Sequence, residues 1–90
     1  MQTEEMKQVG RRFSAKQIER LSRLNEFSGK GYLRPHFSVT GSRCYRLVDD
    51  NINPVENFDE DLVKDFIRFG ALSVSNDFTF SVNEYFLDAR

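Results

Sequence analysis

His36 and Cys44 are the single imidazole and the single thiol of the chain. They lie eight positions apart, on either side of Thr40-Gly41-Ser42, so a hairpin turn there would bring them close. A Cys–His nucleophile also needs a group that orients the ring and donors that hold an oxyanion. No residue nominates itself for either task. A small buried thiol and a surface histidine beside Pro35 account for the two without catalysis. Carboxylates abound, but Asp49, Asp50 and Glu56 fall in a polar stretch of loop composition. Asp59, Glu60 and Asp61 fall where a helix begins, and the helix dipole favours negative charge there. The sequence has no glycine-rich phosphate loop. The expectation is a protein that is not an enzyme and takes no cofactor.

Asp49, Asn51, Asn53, Asn57 and Glu60 stand at positions one, three, five, nine and twelve of a calcium-loop pattern. Its sixth position, normally glycine at a sharp turn, is Pro54, and proline cannot take a positive φ. Strand-like sequence precedes the stretch where a helix should stand, so no metal is expected. Asp49, Asp50 and Glu56 are better read as an acidic surface for a basic partner.

The sharpest signal is basic. At 100° per residue, Lys16, Arg20, Arg23 and Phe27 share one stripe of the first helix, away from its apolar face. Arg11 and Arg12 precede it, and Lys30, Arg34, Arg43 and Arg46 follow, with Tyr32, Phe37 and Tyr45 interleaved. Cations for phosphates and aromatics for base stacking are the ingredients of a nucleic-acid surface. The same stripe also reads as a solvated helix face, with Arg23 paired to Glu19 or Glu26 and Phe27 folded over the helix end.

These residues must be held by a small number of elements. Ser14 with Gln17 three residues later makes a capping box, and Phe13 with Ile18 has the staple spacing. Ile18, Leu21 and Leu24 then recur on one face until Gly29-Lys30-Gly31 stops the helix, which places it at about residues 14–28. Residues 32–48 read as a hairpin whose first strand, because of Pro35, is either an edge or begins after it. Residues 49–57, with Pro54, read as a loop. Leu62, Val63, Phe66 and Ile67 form the apolar stripe of a second helix from about Asp59 to Phe69, ended by Gly70. Residues 71–87 read as strand with a turn at Asn76-Asp77, because Phe78, Phe80 and Val82 alternate with Thr79 and Ser81. Phe37-Ser38-Val39 is echoed by Phe80-Ser81-Val82, a faint sign of duplication.

The predicted fold class is α+β: one domain over residues 13–90, after a flexible leader at 1–12. Its order is α-β-β-α-β-β, with two helices on one face of a mostly antiparallel sheet. Ninety residues, nine Phe and three Tyr supply enough apolar volume for one core. No apolar run approaches membrane-spanning length, no secretory signal pattern is legible, and one cysteine cannot form an internal disulfide. A reducing, cytoplasmic setting and no membrane partner are expected. Charge is divided: residues 1–46 carry +6 and residues 47–90 carry −7, for a net −1. Either the poles bind partners or the halves pack together and neutralise one another. The composite expectation is a small protein-binding module, an adaptor, inhibitor or regulator. Its contact residues would be Lys16, Arg20, Arg23, Phe27, Arg34, Arg43, Asp49, Asp50 and Glu56, and a homodimer is one form its partner could take. The alternative is nucleic-acid binding through the basic half, against which the isoelectric point near 5.8 weighs.

Overall fold

Ser14 starts the first helix as its spacing predicts. Its hydroxyl accepts from the Gln17 backbone N–H (3.1 Å), and the Gln17 side chain accepts from the Ser14 N–H (2.8 Å). In the computed structural model, which describes residues 13–87, this helix (α1) spans Ala15–Asn25. The expected leader, residues 1–12, lies outside the described residues. After α1 come β1 (Tyr32–Phe37), β2 (Arg43–Val48), β3 (Pro54–Asp59), α2 (Glu60–Arg68), β4 (Leu72–Val74) and β5 (Phe80–Val82). A short 3₁₀ turn over Glu84–Leu87 closes the described chain.

The fold is a small α+β domain of two helices and five antiparallel strands in two sheets. One sheet has the order β1-β2-β3, and β4 pairs with β5. The strand β3 corrects the reading of residues 49–57 as a loop. Only the turn at 49–53 is loop, and the chain then runs back along β2 with a register shift at Leu47/Val48. That bulge breaks the alternation by which a strand is read. The end of the described residues differs too, since Tyr85, Phe86 and Leu87 are a 3₁₀ turn, not a strand. The faint echo of one half in the other is interrupted by β3, which has no counterpart after α2 among the described residues.

The two helices share one core with the inner face of the three-stranded sheet. Leu21 and Leu24 from α1, Leu33, Leu47 and Phe58 from the sheet, and Val63 and Phe66 from α2 are all essentially inaccessible. Phe13 packs edge-on against Phe66, with ring centroids 5.1 Å apart. Gly70 ends α2 in a Schellman motif. At φ 83° it donates to the Ile67 carbonyl (3.1 Å), and Ala71 donates to that of Phe66 (2.8 Å). The β4–β5 hairpin is sewn to the rest by Gly29 N–H to Phe80 O (2.9 Å), Leu33 N–H to Phe78 O (2.9 Å) and Val82 N–H to the Ser28 hydroxyl (3.0 Å). Gly31 lets β1 begin against β2, because a Cβ there would lie 2.5 Å from the Val48 carbonyl oxygen. No helix among the described residues is long and apolar enough to cross a membrane.

Candidate binding surface

The inner face consumes much of the expected basic stripe. Arg20 and Arg23 both reach from α1 to the Glu56 carboxylate on β3, Arg23 through its Nε at 2.8 Å. Arg20 also donates to the Asn57 carbonyl (3.0 Å) and lies over the Phe58 ring, 4.1 Å from its centroid. The hydrogen bond from Arg23, assisted by Arg20, holds the Glu56 carboxyl below its ordinary range, and Glu56 in turn raises Arg23. Arg23 also pairs with Glu26 at 2.8 Å, as the solvated-face reading has it. Phe27 is half-buried against the core, with Arg23 5.8 Å from its ring centroid. Two residues expected at opposite poles, Arg20 and Glu56, are thus partners within one molecule.

Arg43 likewise pairs with Glu60 (3.1 Å). Lys16 is exposed on the lip of a cleft between the starts of the two helices, shared with Asp61 and Asp65. Asp49 is occupied by its own loop. Its Oδ1 accepts from the N–H groups of Asn51 and Asn53, both at 2.9 Å, and the Asn53 bond foremost lowers its pKa. Asp50 is exposed beside it. The stretch with calcium-loop spacing is a hairpin, in which Asn57 stands on β3 and Glu60 opens α2.

Arg34 belongs to a different surface. In register, β1 and β2 pair Tyr32 with Val48, Arg34 with Arg46 and His36 with Cys44, and β3 adds Pro54, Asn57 and Asp59 to those rows. Strand alternation puts these rows on the face turned away from the core. Cys44 and Val48 are buried yet stand outside the core cluster, as that placement requires. His36 and Cys44 are neighbours across the strands, as the hairpin predicts. The acid in their row, Asp59, stands on the Cys44 side, not behind the imidazole where an orienting group is needed.

The central row sets two arginines side by side. Like charges directly opposite on paired strands oppose pairing, and none of the ion pairs among the described residues reaches either one. Each is held by a neutral group. Arg46 Nε donates to Asn57 Oδ1 (3.4 Å), and Arg34 lies over the Phe78 ring, 5.4 Å from its centroid. A shallow depression of about 310 Å³ opens here, with Arg34, His36 and Arg46 on its polar side and Val48, Ile52 and Pro54 as its apolar wall. Two residues bordering this surface have a left-handed backbone that bulky side chains resist: Ile52 at φ 65° and Phe78 at φ 71°. Ile52 is also 62% exposed.

Both edges of the sheet are blunted. Leu33 donates away from β2, so residues 33, 35 and 37 point their N–H positions outward, and Pro35 has none to offer. On the other edge, Arg20 covers the Asn57 carbonyl. The outer face, not an edge, is therefore the open side of the sheet.

Arg46, His36 and Ile52 are absent from the contact residues expected from sequence. A usable signal existed for Arg46. A turn centred on Thr40 pairs residues whose numbers sum to 80, which sets 34 against 46. No family model matches this chain, and neither a curated protein nor a solved structure matches it.

Proposed function

We propose that this chain is a non-enzymatic protein-binding module, an adaptor, inhibitor or regulator, whose working surface is the outer face of the three-stranded sheet. The observation that carries this reading is the Arg34–Arg46 row, two cations set together without a carboxylate partner among the described residues. An acidic segment of a partner protein supplies the missing charge, and Val48, Ile52 and Pro54 receive its apolar neighbours. The unpaired thiol of Cys44 suits a reducing compartment such as the cytoplasm. Self-association, where it occurs, would use this face, since both sheet edges are blunted.

Nucleic acid is the second reading, favoured by Tyr32 standing beside Arg34 on the same face. Against it, Tyr32 stands beside an aliphatic wall and the bordering Phe78 ring is covered by Arg34, whereas single strands are held by successive stacking rings. The test is capture from lysate by the wild type and by the R34E/R46E double variant, each with and without nuclease. A stoichiometric protein that survives nuclease and is lost with the double variant supports the module. Nuclease-sensitive capture, or capture indifferent to the double variant, overturns it.

A further inference from the structure

We infer that the Arg34–Arg46 pair is a phosphate-recognition site, built for a phosphorylated side chain on a partner protein; this deepens the protein-binding reading and rests on it. The number of charges is the first argument. A single carboxylate neutralises one guanidinium and leaves its neighbour facing a like charge. A phosphate monoester carries about −1.5 to −2 at neutral pH and three acceptor oxygens, enough for both.

Geometry is the second argument. Asn57 engages Arg46 at Nε, so the terminal nitrogens of that guanidinium stay available for a planar, two-pronged contact. Asn57 is itself anchored, because its carbonyl accepts from Arg20 of the buried-side clamp. Phe78 fixes Arg34 from beyond the sheet edge. His36, two residues along β1 on the same face, adds a ring N–H at the rim. Preorganised donors lose little freedom on binding, which is the requirement for holding a strongly hydrated anion.

Backbone strain is the third argument, and it is independent of charge. Ile52 and Phe78 keep left-handed conformations that cost a bulky residue stability, and both abut this one surface. Phe78 in that conformation holds Arg34, and Ile52 forms an apolar wall beside the arginines. An apolar residue flanking the phosphorylated one would lie against Ile52, Val48 and Pro54.

The experiment is a titration of the full chain, with the arginine Nε–H signals read by NMR. The probes are a phosphoserine and phosphotyrosine peptide library with varied apolar flanks, the same library with glutamate at the phosphorylated position, inorganic phosphate and a short single-stranded RNA. Inorganic phosphate is expected to move the Arg34 and Arg46 signals and leave Arg20 and Arg23 unmoved. Selected phosphopeptides are expected to bind at least about tenfold tighter than their glutamate forms. R34Q and R46Q should each weaken them by about ten- to a hundredfold, the span of one charge-assisted hydrogen bond. Lysine at either position, which keeps the charge but not the fork, should recover only part of that loss. R34Q and R46Q should each melt at or above the wild type, since a like charge has been removed. Glutamate peptides that bind the two arginines as tightly as phosphopeptides would overturn the phosphate assignment and leave the protein-binding reading standing. RNA that outcompetes every peptide at these arginines would overturn both.

Discussion

Glu56 is a carboxylate shared by two guanidiniums, and its titration becomes a property of the whole fold. Its folded pKa lies below the ordinary value of 4.5, while in the unfolded chain the partners are gone. The unfolded form takes up the proton first as pH falls, so the stabilising contribution is complete above the unfolded value and is lost as pH drops through the folded one. Asp49 and Asp77 act in the same sense, Asp49 through the backbone N–H of Asn53 and Asp77 through the Thr79 hydroxyl. Glu56→Gln should lower stability by about 1–2 kcal/mol at neutral pH, because two arginines lose a charged acceptor. Its urea midpoint should also decline less steeply than the wild type's between about pH 5 and 3. Equal slopes would show that Glu56 contributes no pH dependence. Ile52 offers the converse experiment. Its side chain is largely in water while its backbone is left-handed, so Ile52→Asn should raise stability by about 1 kcal/mol. The same change should weaken partner binding, and a stability gain with unaltered binding would separate the strain from the surface.

Elements with local punctuation were legible in the sequence, and elements defined by distant pairing were not. Ser14 and Gln17 specify their helix start within four residues, and the structure forms both of their hydrogen bonds. Gly70 specifies a helix stop just as locally. Gly70→Ala forces a Cβ into φ 83° and should cost about 1–2 kcal/mol, read as a drop in denaturation midpoint with an unchanged slope. The strand β3 was hidden because Pro54, Asn57 and Asp59 are strand-poor residues, and Val55 falls at the register shift that spoils the alternation. Its pairing with β2, not its own composition, makes it a strand. The same limit governed the binding surface. Arg20, Arg23 and Phe27 are visible as a stripe from helical spacing alone, yet their pairing with Glu56 spans more than thirty residues and consumes them. Arg34 and Arg46 are twelve positions apart and become neighbours only once the hairpin register is fixed.

For the whole molecule, the divided charge of the sequence is in part a packing device. Arg20, Arg23 and Arg43 from the basic half meet Glu56 and Glu60 from the acidic half in partly exposed ion pairs. What remains outward is a sheet face whose flanks are closed to strand addition. Pro35→Val restores a donor in the middle of the β1 edge and should promote concentration-dependent association, seen as a rising sedimentation coefficient. A variant that stays monomeric at high concentration would mean that another feature guards this edge. The seam between the β4–β5 hairpin and the rest has a consequence in time. Hairpin and meander contacts between residues 32 and 59 lie near one another in the chain, whereas Ser28 must find Val82 across 54 positions. Loops of that size close late, after local pairing has set in. During synthesis the two arginines would therefore come into register while Phe78, the ring that steadies Arg34, is still to be delivered. The surface would exist before it is competent, and the last hairpin to arrive would switch it on.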